Sequence, residues 1–117
     1  MDFKVKKTDL VKELALMQGI VEKRTTIPIL SNFLVSASGE DLSFTSTDLE
    51  ITLHHTCPAE VKEEGSIALP TKMVYDIIRI LPDADIHFKT GKESGRVQLN
   101  CGSAKYKIVC LPAEDFP

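Results

Sequence analysis

The strongest constraint on what this chain can fold into is an order of elements that occurs twice: a strand, a helix, then three strands. Met1, Phe3 and Val5 alternate with Asp2, Lys4 and Lys6, the period of a strand with one buried face. Leu10, Val11, Leu14, Met17 and Val21 then recur at helical spacing, leaving Asp9, Lys12, Glu13 and Gln18 towards solvent. Thr8 stands where an N-cap accepts a bond from a first-turn amide, and Gly19 is expected to loosen the helix end. Short strands follow at 29–37, 42–46 and 49–56, read as an antiparallel meander, and Pro58 with the charged run 60–65 closes the first half.

The order then begins again. A strand at 66–69 leads through Pro70 into a helix with Thr71 as N-cap and Met73, Val74, Ile77, Ile78 and Leu81 as its apolar stripe, ended by Pro82. Strands at 85–89, 96–101 and 104–111 complete the half, turning at 91–95 and at Gly102 and Ser103. An offset of 63 maps Thr8, Leu10, Val11 and Leu14 onto Thr71, Met73, Val74 and Ile77, although the preceding strands lose phase at that offset. The expectation is an α+β domain with two-fold pseudosymmetry, its repeats spanning about 1–59 and 65–117. Its two helices would be packed on one face of two four-stranded antiparallel sheets. At 117 residues no second core fits beside this one.

Charge and cysteine usage narrow the function classes. No apolar run is long enough to span a bilayer, no signal pattern opens the chain, and the Cys count of 3 is odd, so a reducing, cytoplasmic setting without membrane partners is expected. A two-residue turn at Gly102 and Ser103 puts Cys101 opposite Ala104, out of reach of Cys110, so Cys57, Cys101 and Cys110 read as free buried thiols. The net charge of -3 conceals an uneven distribution. Residues 40–64 hold Glu40, Asp41, Asp48, Glu50, Glu60, Glu63 and Glu64 against Lys62 alone, while bases predominate over residues 1–24.

Catalytic patterns are poorly represented. His54, His55 and Cys57 are too few for a structural zinc site, and His87 and the other cysteines lie on separate predicted strands. Asp48 and Glu50 read as turn residues, Ser103 lacks a nucleophile elbow and a histidine partner, and no phosphate-binding glycine loop is present. The expectation is a non-enzymatic protein with no metal and no cofactor. The segment Lys23, Arg24, Thr25, Thr26, Ile27, Pro28 differs, because it sets two cations and two hydroxyls on a loop, the chemistry that phosphate oxygens require.

Arg24, Thr26, Pro28, Ile29, Leu30 and Asn32, then Thr47, Asp48, Leu49 and Glu50, then Leu81 and Pro82, and the closing Leu111, Pro112, Ala113, Glu114, Asp115, Phe116 and Pro117 run the length of the chain. In this order and spacing they resemble the first domain of the DNA polymerase III β subunit family, the sliding clamps. The resemblance implies a DNA-clamp fold in which three such domains make a subunit, so that the remaining clamp domains are absent from these 117 residues. Two subunits would close head to tail into a ring, helices inside and sheets outside. Double-stranded DNA would be held non-specifically, by encirclement and weak phosphate contacts, and the complete clamp would meet its loader and the polymerase.

Carried onto this chain, the resemblance implies that Arg24, with Lys23 beside it, contacts DNA, together with Lys72, Arg79 and Lys12 on the exposed helix faces. It also implies that the strand at 104–111 is an edge joining the second subunit, with Arg96 and Lys105 as its charged contacts and Tyr106 and Ile108 as its apolar ones. Met73 and Ser103 depart from the family pattern, where basic residues can stand. Two other readings compete: a stand-alone protein-protein interaction module using an open sheet edge, and a small enzyme using His54, His55 and Asp48.

Overall fold

The computed structural model describes residues 1–20, 28–91 and 95–117, which form two helices and two antiparallel sheets. Strand β1 (Asp2–Lys6) runs directly into helix α1 (Lys7–Ile20). A 3-10 turn at Pro28–Ser31 precedes the meander β2 (Asn32–Ser38), β3 (Asp41–Thr47) and β4 (Thr52–Pro58), and β5 (Glu60–Glu63) follows. The order repeats with β6 (Gly65–Pro70), α2 (Thr71–Ile80), β7 (Asp85–Thr90), β8 (Arg96–Cys101) and β9 (Ala104–Val109). The short β10 (Leu111–Pro112) and a second 3-10 turn (Ala113–Asp115) end the fold.

One sheet has the order β5-β1-β7-β8-β9 and the other β10-β6-β2-β3-β4. The two orders coincide when β1, β5 and β7 to β9 are read as β6, β10 and β2 to β4. Each half therefore lends its meander to the sheet that the other half begins. Both sheets have five strands rather than the expected four, because residues 60–63 pair with β1 and Leu111–Pro112 pairs with β6. Glu60–Glu63 looked like a connector because its charges face solvent; such charges on a short strand protect an edge from unwanted pairing.

Burial corrects how the halves correspond. At an offset of 63 the buried Leu10 falls on the exposed Met73, whereas at 64 Phe3, Val5, Leu10, Leu14 and Met17 fall on Ile67, Leu69, Val74, Ile78 and Leu81. All ten are buried, and the strand phase is restored. Neither threonine is an N-cap: Thr8 lies inside the first turn of α1, and α2 is preceded by an extended Pro70 with no side-chain cap bond. Each strand runs into its helix without a linking residue, so the cap position is the last residue of the strand. The Thr71 hydroxyl is buried, without a hydrogen-bond partner among the described residues.

The inner faces of both sheets and the helices share one core. Phe3 and Phe88, cross-strand partners, stack with ring centroids 4.9 Å apart, and Phe33 and Phe44 meet at 6.1 Å in the other sheet. Helix α1 packs on β1, β3 and β4, α2 on β6, and the helices on each other. The Lys7 ammonium donates to the Arg79 carbonyl at 3.2 Å and to that of Leu81, closing the C-terminus of α2 from the first residue of α1. Cys57, Cys101 and Cys110 are free and buried. Burial, then Glu13, Asp9 and Asp41, pushes the Cys57 thiol up to about 12, so it stays protonated at neutral pH.

On the outer side of the first sheet, His87 Nε2 lies 2.5 Å from Asp2 Oδ1. That bond is the main cause holding the Asp2 carboxyl below its ordinary 3.8 against the opposing effect of burial, with the His87, Lys89 and Lys62 charges assisting. A depressed folded-state pKa stabilises the fold above the unfolded value and loses that contribution as pH falls through the folded one. Asp2→Asn is therefore expected to flatten the acid limb of a stability-against-pH curve below pH 3.8 while changing its shape little at neutral pH. Denaturant midpoints measured across that range check this, and parallel curves for the two proteins would refute it.

Candidate nucleic-acid and subunit interface

Lys72, Asp76 and Arg79 follow each other along α2 at helical spacing, and Tyr75 lies beside them. Asp76 is bonded to both cations, to Lys72 Nζ at 2.8 Å and to Arg79 at 2.9 Å, and these pairs hold its carboxyl below the usual range. The Arg79 guanidinium also lies 5.1 Å from the centre of the Tyr75 ring. Lys72, Arg79 and, on α1, Lys12 are all exposed. They sit on helices that pack against each other, but the α2 cations are half neutralised by Asp76. Arg24 and Lys23, with the hydroxyls of Thr25 and Thr26, lie outside the described residues.

Strand β9 stands at the open edge of its sheet, paired among the described residues only with β8. Its side chains alternate: Lys105, Lys107 and Val109 are exposed, while Ala104 and Tyr106 are half-buried and Ile108 is buried. Arg96 and Lys105 share the outward face. Ile108, expected among the apolar contacts of this edge, is 2% exposed and packs into this chain's own core opposite Val97. Tyr106, half-buried, turns towards α2 instead.

There it meets Met73, which the sequence analysis named beside the interface as a departure from the family's basic residues, and Ile77 and Ile80, which it did not assign to one. Met73, Ile77 and Ile80 of α2 line a groove with Tyr106, flanked by Lys72 and Asp76. Met73 and Ile80 are 53% and 75% exposed, a bare apolar surface next to an unpaired sheet edge. The signal was present in the sequence. Positions 73, 77 and 80 form one helical stripe and 74, 78 and 81 a second beside it; only the second is fully buried, and reading them together hid the first.

The residues named for catalysis are not brought together. His54 Nδ1 lies 3.1 Å from Thr45 Oγ1, and His55, its neighbour along an extended strand, points to the other face and meets Glu13 at 2.5 Å. Asp48 Oδ1 accepts the amides of Glu50 and Ile51 at 2.9 and 2.7 Å, which bends the chain so that β4 begins at Thr52 rather than at Leu49. The turn holds Leu49 at φ 80. A concavity on the first sheet contains the Asp2 and His87 pair but no Ser, Thr or Cys. Among the described residues no group of three or more His, Cys, Asp or Glu is placed to hold a metal, and no helix is long and apolar enough to cross a membrane.

Comparison with known proteins gives one result throughout. The family model described as "DNA polymerase III beta subunit, N-terminal domain" matches residues 1–117. The beta sliding clamp of Caulobacter vibrioides is 38% identical over all of this chain, and that of Pseudomonas aeruginosa 36%. In each case the chain spans 32% of the relative, about a third of its length. The crystal structure of the DNA polymerase sliding clamp from Caulobacter crescentus superposes with a TM-score of 0.95 at 38% identity, over 100% of this chain and 32% of that one. A beta-subunit sliding clamp from Bartonella birtlesii superposes at 0.93 with 30% identity, over 100% of this chain and 33% of that one.

Proposed function

The chain belongs to the family of the DNA polymerase III β subunit N-terminal domain, and from that premise we propose that it is one arc of a ring-shaped sliding clamp. The ring encircles duplex DNA and tethers the replicative polymerase for processive synthesis. Such a domain has no chemistry of its own; its tasks are to present a weakly attractive inner surface and to close against its neighbours. Two repeats, about 1–59 and 65–117, arose from one strand-helix-meander unit, and the other clamp domains lie outside these residues. Its partners are double-stranded DNA, a second clamp subunit arranged head to tail, and the clamp loader and polymerase acting on the whole ring.

The observation that carries this reading is the pairing of the open β9 edge with the bare stripe of Met73, Ile77 and Ile80. An edge strand supplies backbone bonds to a continuing sheet, and an adjacent apolar surface chooses the partner and holds it. Arg96 and Lys105 stand on the outward face beside that edge, where acids of a second subunit would meet them. The half-neutralised helix cations suit an inner surface that must let DNA slide, since tight binding would stop it.

Two substitutions in a full-length clamp carrying this domain test the inner surface. Arg24→Ala is expected to weaken DNA retention and lower the salt slope by about 0.9, the share of one phosphate contact. Asp76→Asn is expected to act oppositely, because it frees Lys72 and Arg79 for phosphate. Retention on circular DNA at increasing salt measures both, and equal retention by all three proteins would remove the DNA-facing role from these helices.

A further inference from the structure

We propose that β4 is a second strand-accepting edge and that its occupant is the β9 edge of a second copy of this chain, so that the domain alone joins end to end. The inference rests on the reading of β9 as a subunit edge. Among the described residues β4 pairs only with β3, and it ends its sheet as β9 ends the other. The pairings make the two edges equivalent. Ile67, Val35, Phe44 and His55 are successive partners across one sheet, as Phe3, Phe88, Leu99 and Tyr106 are across the other. Ile67 corresponds to Phe3, so His55 stands where Tyr106 stands. On the helices the same correspondence sets Leu16 at the place of Ile80 and Glu13 at that of Ile77.

Equivalent geometry carries opposite charge. Strand β9 presents Lys105 and Lys107, whose partners on β8 are the neutral Asn100 and Gln98. Strand β4 is flanked by acids: Asp48 and Glu50 in the turn that leads into it, Asp41 opposite its last residue, and Asp9 and Glu13 on α1, which together with Asp41 act on Cys57 of that strand. Apolar surface remains beside both edges, since Leu16 is 51% and Ile80 75% exposed.

These charges select the pairing. Two copies of β9 running antiparallel about Tyr106 would set Lys105 against Lys107, and like charges directly opposite each other destabilise a ladder. Two copies of β4 would bring their acids together. Pairing β9 with β4 joins unlike charges, continues a sheet from one copy into the next, and covers Ile80 with Leu16. A contact between two different surfaces leaves each pair with one free edge of either kind, so association proceeds past the dimer.

The test uses the 117-residue chain and two neutral variants, Leu16→Gln and Ile80→Gln, each of which leaves one edge native. Glutamine suits an exposed helix position, so circular dichroism of both is expected to match the parent. In sedimentation velocity from micromolar to millimolar concentration, the parent is expected to grow past a dimer. Each variant is expected to associate at least about tenfold more weakly, the consequence of burying an amide without a partner. An equimolar mixture, with fluorescein on one variant, is expected to restore a one-to-one pair at the parent's concentrations and to stop there, because the native β9 of Leu16→Gln meets the native β4 of Ile80→Gln. A parent that stays monomeric at millimolar concentration overturns the proposal, as does a mixture no more associated than its components. Leu16→Gln associating like the parent also overturns it and assigns the contact to two β9 edges. The ring reading is untouched by any of these outcomes and stands or falls on the full-length variants.

Discussion

Ile80→Asp, placed in a full-length clamp that carries this domain, is expected to open the ring without unfolding the domain. The side chain is 75% exposed and lies on the α2 stripe outside the core, so the isolated chain should melt as the parent does. In the closed ring the same position would face the second subunit beside Tyr106. An unpaired carboxylate buried there costs about 2–3 kcal/mol or more, which is on the order of 100-fold in the association constant. Sedimentation at concentrations where the parent is dimeric checks this. A control two residues earlier sharpens the test: Ile78 is fully buried, so Ile78→Asp is expected to unfold the domain itself. A normal dimer with Ile80→Asp would detach the bare stripe from subunit closure and return the reading to the β9 backbone alone.

The second large effect concerns a buried acid. The Glu13 side chain is 7% exposed on α1 and its Oε2 lies 2.5 Å from Nδ1 of His55, whose side chain is 49% exposed on β4. Among the described residues that oxygen makes no well-angled hydrogen bond, so the imidazole is its main compensation. His55→Ala leaves the carboxylate stranded. Breaking a fully buried pair costs 3–5 kcal/mol, but water reaches the half-exposed histidine, so about 1–2 kcal/mol is the appropriate magnitude. For a domain of this size that lowers Tm by roughly 4–8 °C.

Glu13→Leu should do the reverse of what a deleted ion pair suggests. It removes both the buried charge and the need for a partner, and is expected to be neutral or stabilising by up to about 1 kcal/mol. At the offset of 64 the other helix already carries an aliphatic residue, Ile77, at the matching position. Combining Glu13→Leu with His55→Ala is expected to recover most of the loss. Thermal melts of the four proteins complete the cycle. If Glu13→Leu proved more damaging than His55→Ala, the carboxylate would be bonded in a way that the geometry does not contain.

Much of this fold was legible because period and punctuation agree with burial. Phe3 and Val5, Leu10 and Leu14, Val97 and Leu99 all lie on the faces that their spacing predicts. What failed did so for local reasons. Asp48 captures two amides and turns the chain where a β-rich stretch read as strand. Glu60–Glu63 is strand despite its charge, since an edge needs only one apolar side chain, Val61, against the core. The edge position of β9 was legible, whereas the burial of Ile108 was not, since only tertiary packing decides which face of a strand is core. Met73 was named beside the interface, but Ile77 was read as core and Ile80 was not named, because hydrophobic residues are expected inside, and a helix with two adjacent stripes gives no sign of which is covered.

The crossing of meanders between the halves also bears on how the chain is made. Phe3 must find Phe88, and β1 is sealed on that side only when β7 arrives. A ribosome that has released the first sixty or so residues (roughly half a domain) has delivered one helix and a meander whose central neighbour, β6, is still unborn. Contacts of such long reach form slowly, on the order of milliseconds to seconds. Synthesis rather than diffusion therefore sets the earliest moment of folding, and the nascent first half is the stage at which a chaperone has most to shield.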